Sequence, residues 1–162
     1  MKKVIVIGCP GAGKTTFSRK LAKKLGLPLF HLDAIWHKSD RTHISRDEFD
    51  SRLSELLALD SFVLDGNYSR TLERRMASCD TVVLFDLSPK ACLEGAIARL
   101  GQSRGDMPWV DTELDPWLEN EILEFGEKNL PSIYELIEKY KEGREIVIFK
   151  SRDEADAFIG EF

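Results

Sequence analysis

Gly8-Cys9-Pro10-Gly11-Ala12-Gly13-Lys14-Thr15 decides how this chain folds. The octet meets G-x-x-x-x-G-K-[ST] at each fixed position. Immediately before it, Val4-Ile5-Val6-Ile7 is β-branched throughout and reads as a buried parallel strand. Immediately after it, Phe17, Leu21 and Leu25 recur at helical spacing over residues 14–25, with Lys20, Lys23 and Lys24 outside and Gly26 as the stop. Glycines in such a turn let successive backbone N–H groups converge on an anion, and the helix start adds the positive end of its dipole. In this reading Gly8, Pro10, Gly11, Ala12, Gly13 and Thr16 form or flank the cradle, Lys14 bridges the outer phosphates of a nucleotide, and the Thr15 hydroxyl holds Mg²⁺.

Outward from the loop, apolar runs alternate with amphipathic stretches. Strands are predicted at Pro28 to Leu32, Phe62 to Leu64, Thr81 to Phe85 and Glu145 to Phe149. Helices are predicted over 46–58, from Ser88-Pro89 through Ile97, and over 113–142 with a break at Pro131, and a short helix ends the chain. The pattern lapses between Arg99 and Pro108, a polar, glycine-bearing loop. Strand–helix alternation implies parallel strands joined by right-handed crossovers. The expectation is an α/β three-layer P-loop NTPase fold, a five-stranded parallel sheet with helices on both faces. Residues 1–162 are read as one domain with a short lid at about 99–112.

Composition narrows the function classes. Of 162 residues, 43% are hydrophobic and 31% charged, a globular balance. Lys and Arg number 23 against 28 Asp and Glu, leaving −5, which argues against a general nucleic-acid binder. No apolar run reaches the roughly 20 residues of a membrane helix, so the expectation is a cytoplasmic protein away from membranes, monomer or homodimer. Cys9, Cys79 and Cys92 lack the spacing of a zinc site, and His31, His37 and His43 read as loop and edge residues.

Ligands of open parallel sheets bind beyond the carboxyl ends of the strands. Asp33, Asp65 and Asp86 stand at three such ends. Asp65, followed by Gly66, is read as a Mg²⁺-water contact, and Asp86, just before Ser88-Pro89, as a turn or cap. Asp33, framed by His31 and Trp36, is the candidate for contacting or deprotonating an acceptor hydroxyl. Asp65 and Asp86 lack a following Glu, unlike the strand-end Asp of hydrolytic motors, and no guanine-reading Asn/Thr-Lys-x-Asp run occurs. Arg99 and Arg104 lead into the glycine loop, where arginines on a closing segment can neutralise a transferring phosphoryl group. Of Arg70, Arg74 and Arg75 at the start of the next helix, at least one is a candidate for the acceptor site, and most read as surface charge.

Gly8 to Thr15, Val63-Leu64-Asp65-Gly66 and Arg99 with Arg104-Gly105-Asp106 together resemble adenylate kinase and its small P-loop kinase relatives over nearly the whole chain. His31-Leu32-Asp33 with Trp36, Asp65-Gly66-Asn67-Tyr68 and Lys150-Ser151-Arg152 are similar to the subfamily labelled topology-modulation protein. The resemblance implies that Asp65 orients Mg²⁺-bound water, that Arg99 and Arg104 are lid arginines, and that Ser151 and Arg152 lie in the loop against adenine. It also implies an acceptor near His31, Asp33, Trp36 and Tyr68. Adenylate kinases follow Asp-Gly with Phe-Pro-Arg, whereas here Asn67-Tyr68-Ser69 intervenes and Arg70 comes one place late, which leaves the acceptor open. The expected function is transfer of the γ-phosphoryl of Mg-ATP to a small-molecule phosphate acceptor: a nucleoside, a nucleotide or a related metabolite. The alternative is an ATP-dependent regulatory binding protein with little turnover, for which five cationic residues between Lys14 and Lys24 are the one dense basic cluster.

Overall fold

The computed structural model describes all 162 residues. Strands β1 (Lys3–Gly8), β2 (Leu29–His31), β3 (Phe62–Asp65), β4 (Thr81–Phe85) and β5 (Glu145–Phe149) form one parallel sheet in the order β2-β3-β1-β4-β5. The three central strands are buried along almost their whole length, as their unbroken apolar sequences require, and the edge strands β2 and β5 are half-buried. Helices lie on both sides of the sheet, giving the three-layer P-loop fold.

Helix α1 (Lys14–Leu25) packs on β1 and β3 beside the last helix, α8 (Arg152–Gly160). Its Phe17 meets Phe85 and Phe149 edge-on, each at 5.3 Å between ring centres, and this cluster forms the floor beneath the phosphate loop. Helices α5 (Pro89–Ala98), α6 (Pro116–Lys128) and α7 (Leu130–Tyr140) pack in succession, and α7 also touches α4 (Ser69–Ser78). The predicted break in 113–142 falls at Asn129, and Pro131 sits in the first turn of α7, where its missing N–H costs nothing.

Two segments differ from the pattern reading. The second strand stops at His31, because Leu32 is already the first residue of a short helix, α2 (Leu32–Trp36), and is fully buried there. Asp33 and Trp36 therefore share a face one helical turn apart, instead of lying in a loop. From Trp36 the chain makes a turn closed by an antiparallel bridge between His37 and His43, then enters α3 (Arg46–Leu57) under a Ser45 cap. The bridge explains the six-residue histidine spacing, which periodicity alone does not interpret.

Candidate active site

The phosphate loop runs from the end of β1 into α1 with Gly11 and Gly13 at positive φ, 81° and 105°. It lines a cleft of about 350 Å³ together with Arg99, Arg104 and Asp106, so residues 11–16 and both candidate lid arginines share one cavity. The loop backbone rests directly on α5: a Cβ on Gly11 would lie 2.0 Å from the Cys92 carbonyl, and one on Gly95 would lie 2.0 Å from the Gly11 carbonyl. Gly8 donates its N–H to Asn67 Oδ1 at 3.0 Å, which ties β1 to the turn after β3. Lys14 folds back over the loop, its Nζ 3.0 Å from the Cys9 carbonyl. Enclosure pushes the ammonium below its ordinary pKa, while Asp65 pulls it back up.

Register explains the next contact. Val6, Asp65 and His31 are lateral partners across β1, β3 and β2, so His31 and Asp65 stand side by side. His31 Nδ1 lies 2.9 Å from Asp65 Oδ2, and the Thr15 hydroxyl donates to the same oxygen at 2.9 Å. His31, read from the sequence as an acceptor contact, thus turns its Nδ1 to Asp65. A second carboxylate also reaches Thr15, Asp106 Oδ2 at 3.4 Å, with Arg104 at 3.8 Å from the same oxygen. Asp106 belongs to the motif quoted above, but nothing in the spacing assigns it a place beside Thr15.

On the far side of Asp65, Tyr68 donates to Asp33 Oδ1 at 2.7 Å. Burial and the Asp33 charge hold the phenol above its ordinary pKa, so it stays a donor. Trp36 stacks on His43 at 4.2 Å and meets Phe49 and Tyr68 edge-on, making an aromatic wall beside Asp33. Trp109, from the 99–112 segment, rests on His37 and under the Arg41 guanidinium, both 5.1 Å away. Arg99 lies between the two regions. Enclosure and Arg104 push its pKa down, and Asp106, Asp33 and Asp111 oppose them.

Other expectations are redirected. Ser151 caps α8 by accepting from the Glu154 N–H, so its hydroxyl is engaged away from the cleft. Arg152 does line the cleft, but its Nη2 donates to the carbonyls of Gly11 and Ala91 at 2.9 and 2.7 Å, clamping the loop to α5. Asp86 is neither turn nor cap: it accepts from Tyr134 at 2.5 Å and from Lys150, contacts that keep its pKa low despite burial, while Ser88 caps α5. Arg70 pairs with Asp50 and Arg74 bonds Ser54. Arg75, one of the three arginines divided between surface charge and an acceptor contact, serves as neither: it is fully buried and donates to the carbonyls of Gly66 (2.9 Å), Asn67 and Tyr68 (3.1 Å). The basic cluster of α1 is also broken up, because Lys20 pairs with Asp156 and Lys14 belongs to the loop.

No protein-family model matches the chain. It is 29% identical over 122 residues to the adenylate kinase of Mycobacterium leprae, covering 57% of this chain and 67% of that one, and equally so to that of Mycobacterium tuberculosis. With the adenylate kinase of Mycolicibacterium vanbaalenii the identity is 30% over 112 residues, 57% of this chain and 61% of the relative. Among solved structures, shikimate kinase from Acinetobacter baumannii in complex with shikimate superposes with a TM-score of 0.62 at 19% identity, over 99% of this chain and 92% of that one. Shikimate kinase from Bacteroides thetaiotaomicron gives 0.58 at 18% identity, over 98% and 94%. The chain thus has the fold of the P-loop kinases. In sequence it is adenylate kinase-like. No helix is long and apolar enough to cross a membrane.

Proposed function

We propose that the protein is a phosphotransferase that moves the γ-phosphoryl group of Mg-ATP to the hydroxyl of a small acceptor, a nucleoside or related metabolite. One observation carries the reading: Asp33 lies in the first turn of the short helix directly after His31, whose ring bonds the same Asp65 oxygen that Thr15 of the phosphate loop donates to, so the candidate acceptor carboxylate stands next to the residues that flank the phosphates. A hydroxyl acceptor fits better than a phosphate acceptor, because Arg70, Arg74 and Arg75 are all engaged elsewhere. Sequence similarity to adenylate kinases supports nucleotide use, and resemblance to the topology-modulation subfamily is part of the same proposal.

The residues present suit a magnesium ion, since Thr15 and Asp65 offer hard oxygen donors at the loop and leave room for phosphate oxygens. Bound there, the ion would spread the negative charge of the outer phosphates. The loop amides and Lys14 hold the triphosphate, and His31 keeps Asp65 oriented. Asp33 accepts the proton of the acceptor hydroxyl as its oxygen bonds the γ-phosphorus, and the bond from that phosphorus to the bridging oxygen breaks to release ADP. Arg99 and Arg104 offset the charge on the group in flight. The 99–112 segment acts as the lid, and its Trp109 reaches the acceptor side.

Coupled ADP release with a panel of nucleosides, nucleotides and sugars tests the reading. Stimulation by a hydroxyl compound is expected; flat basal hydrolysis across the panel would replace the kinase by a nucleotide-dependent binding protein.

A further inference from the structure

Asp106 is buried, with 3% of its surface exposed, yet its carboxylate is poorly hydrogen-bonded. A carboxylate withdrawn from water requires partners, or its burial is strongly unfavourable. Asp106 Oδ2 has the Thr15 hydroxyl at 3.4 Å and Arg104 at 3.8 Å, both long, and Oδ1 has no hydrogen-bond partner. Thr15 has a single hydroxyl hydrogen, and its shorter contact, 2.9 Å, is to Asp65. Two carboxylates therefore converge on one hydroxyl that can satisfy only one of them. The cluster is short of a directly bonded partner for Asp106 at the point where the phosphate loop, β3 and the 99–112 segment meet.

We infer that Asp106 is a further ligand, directly or through a bound water, of the divalent cation that Thr15 and Asp65 hold, and that the cation thereby ties the 99–112 segment to the phosphate loop. This rests on the proposed function. Magnesium takes few protein carboxylates and completes its shell with waters and phosphate oxygens, which matches a pair of carboxylates beside a phosphate loop. No three His, Cys, Asp or Glu side chains gather into a cage, so the nucleotide must supply the remaining oxygens. Asp106 is the only one of the three oxygen donors carried on the segment that bears Arg104, so occupancy by the cation and placement of that arginine are one event.

The test is calorimetry of a non-hydrolysable ATP analogue, in EDTA and with Mn²⁺, on the wild type and Asp106→Asn. In the variant, affinity in EDTA should rise a fewfold, because a negative charge near the phosphates is gone. The gain in affinity on adding Mn²⁺ should shrink by about tenfold. An undiminished Mn²⁺ gain overturns the inference, and so does an equal loss with and without metal, the mark of a residue that only supports Arg104. Wild-type protein that binds the analogue in neither condition rejects the kinase reading itself, a distinct result. Amide exchange of wild-type residues 99–112 needs no variant: Mn²⁺ added to the analogue complex should slow it, and unchanged exchange overturns the inference.

Discussion

Tyr68 donates its phenolic hydrogen to Asp33 at 2.7 Å from a backbone held at φ 37° and ψ 70°. A side chain in that left-handed region costs about 1 kcal/mol or more, so the surroundings must fix it. They do so through Arg75, whose guanidinium holds the carbonyls of Gly66, Asn67 and Tyr68. A buried cation thus sets the position of a phenol, and the phenol sets the direction of a carboxylate. Removing the hydroxyl in Tyr68→Phe should lower kcat/KM for the acceptor about tenfold, the worth of a hydrogen bond to a charged group. Asp33→Asn should lower kcat by about 10² or more. Both variants should bind ATP like the wild type, and weakened ATP binding by calorimetry would refute this division of roles.

Arg75 stays charged although burial lowers its pKa to about 10. Arg75→Met strands three carbonyls, and the expected loss of stability is on the order of 3 kcal/mol, read from urea midpoints. A surface arginine would give almost no change.

Lys14 is held below its ordinary pKa by enclosure, and arriving phosphates supply the counter-charge it lacks. Its pKa should therefore rise when nucleotide binds. At pH values above the lowered one, binding should take up protons, and the uptake should fade once the pH passes the raised value of the bound state. Binding heats measured at alkaline pH in buffers of different ionisation enthalpy give the number of protons directly. In Lys14→Ala the uptake should disappear and tight ATP binding with it, at an unchanged melting temperature.

Gly95 lies in a helix, where alanine is ordinarily the more stable residue by up to about 1 kcal/mol. Here a Cβ would meet the Gly11 carbonyl at 2.0 Å and the Arg152 guanidinium at 2.4 Å. Gly95→Ala should displace the loop and weaken Mg-ATP binding at least about tenfold. An affinity equal to that of the wild type would show that the loop yields freely.

Cys9 is buried within the loop, and the Cys92 thiol together with burial raises its pKa. The thiol should resist iodoacetamide at neutral pH in the folded protein while reacting in urea. Rapid alkylation of native protein, followed by mass spectrometry, would contradict this.

What the sequence made legible is what is local. The phosphate loop, its strand and its helix lie within consecutive residues, and the pattern places Lys14 and Thr15 without knowledge of the rest. Five parallel strands followed from apolar runs in the same way. The His31–Asp65 contact was not legible, because it depends on lateral register between strands 34 residues apart. Arg75 looks like its exposed neighbours Arg70 and Arg74 until the turn at 66–68 folds over it. Asp106 could be seen in the motif, but its place beside Thr15 depends on a loop returning across 91 residues.

The contact of Gly95 with Gly11 reaches beyond affinity. Helix α5 abuts the loop at Gly95 and ends one turn later at Arg99, the first residue of the 99–112 segment. A rigid rod one turn long joins the phosphate loop to the root of that segment. A shift of the loop would be carried to Arg99 by the helix itself, with no other element in between.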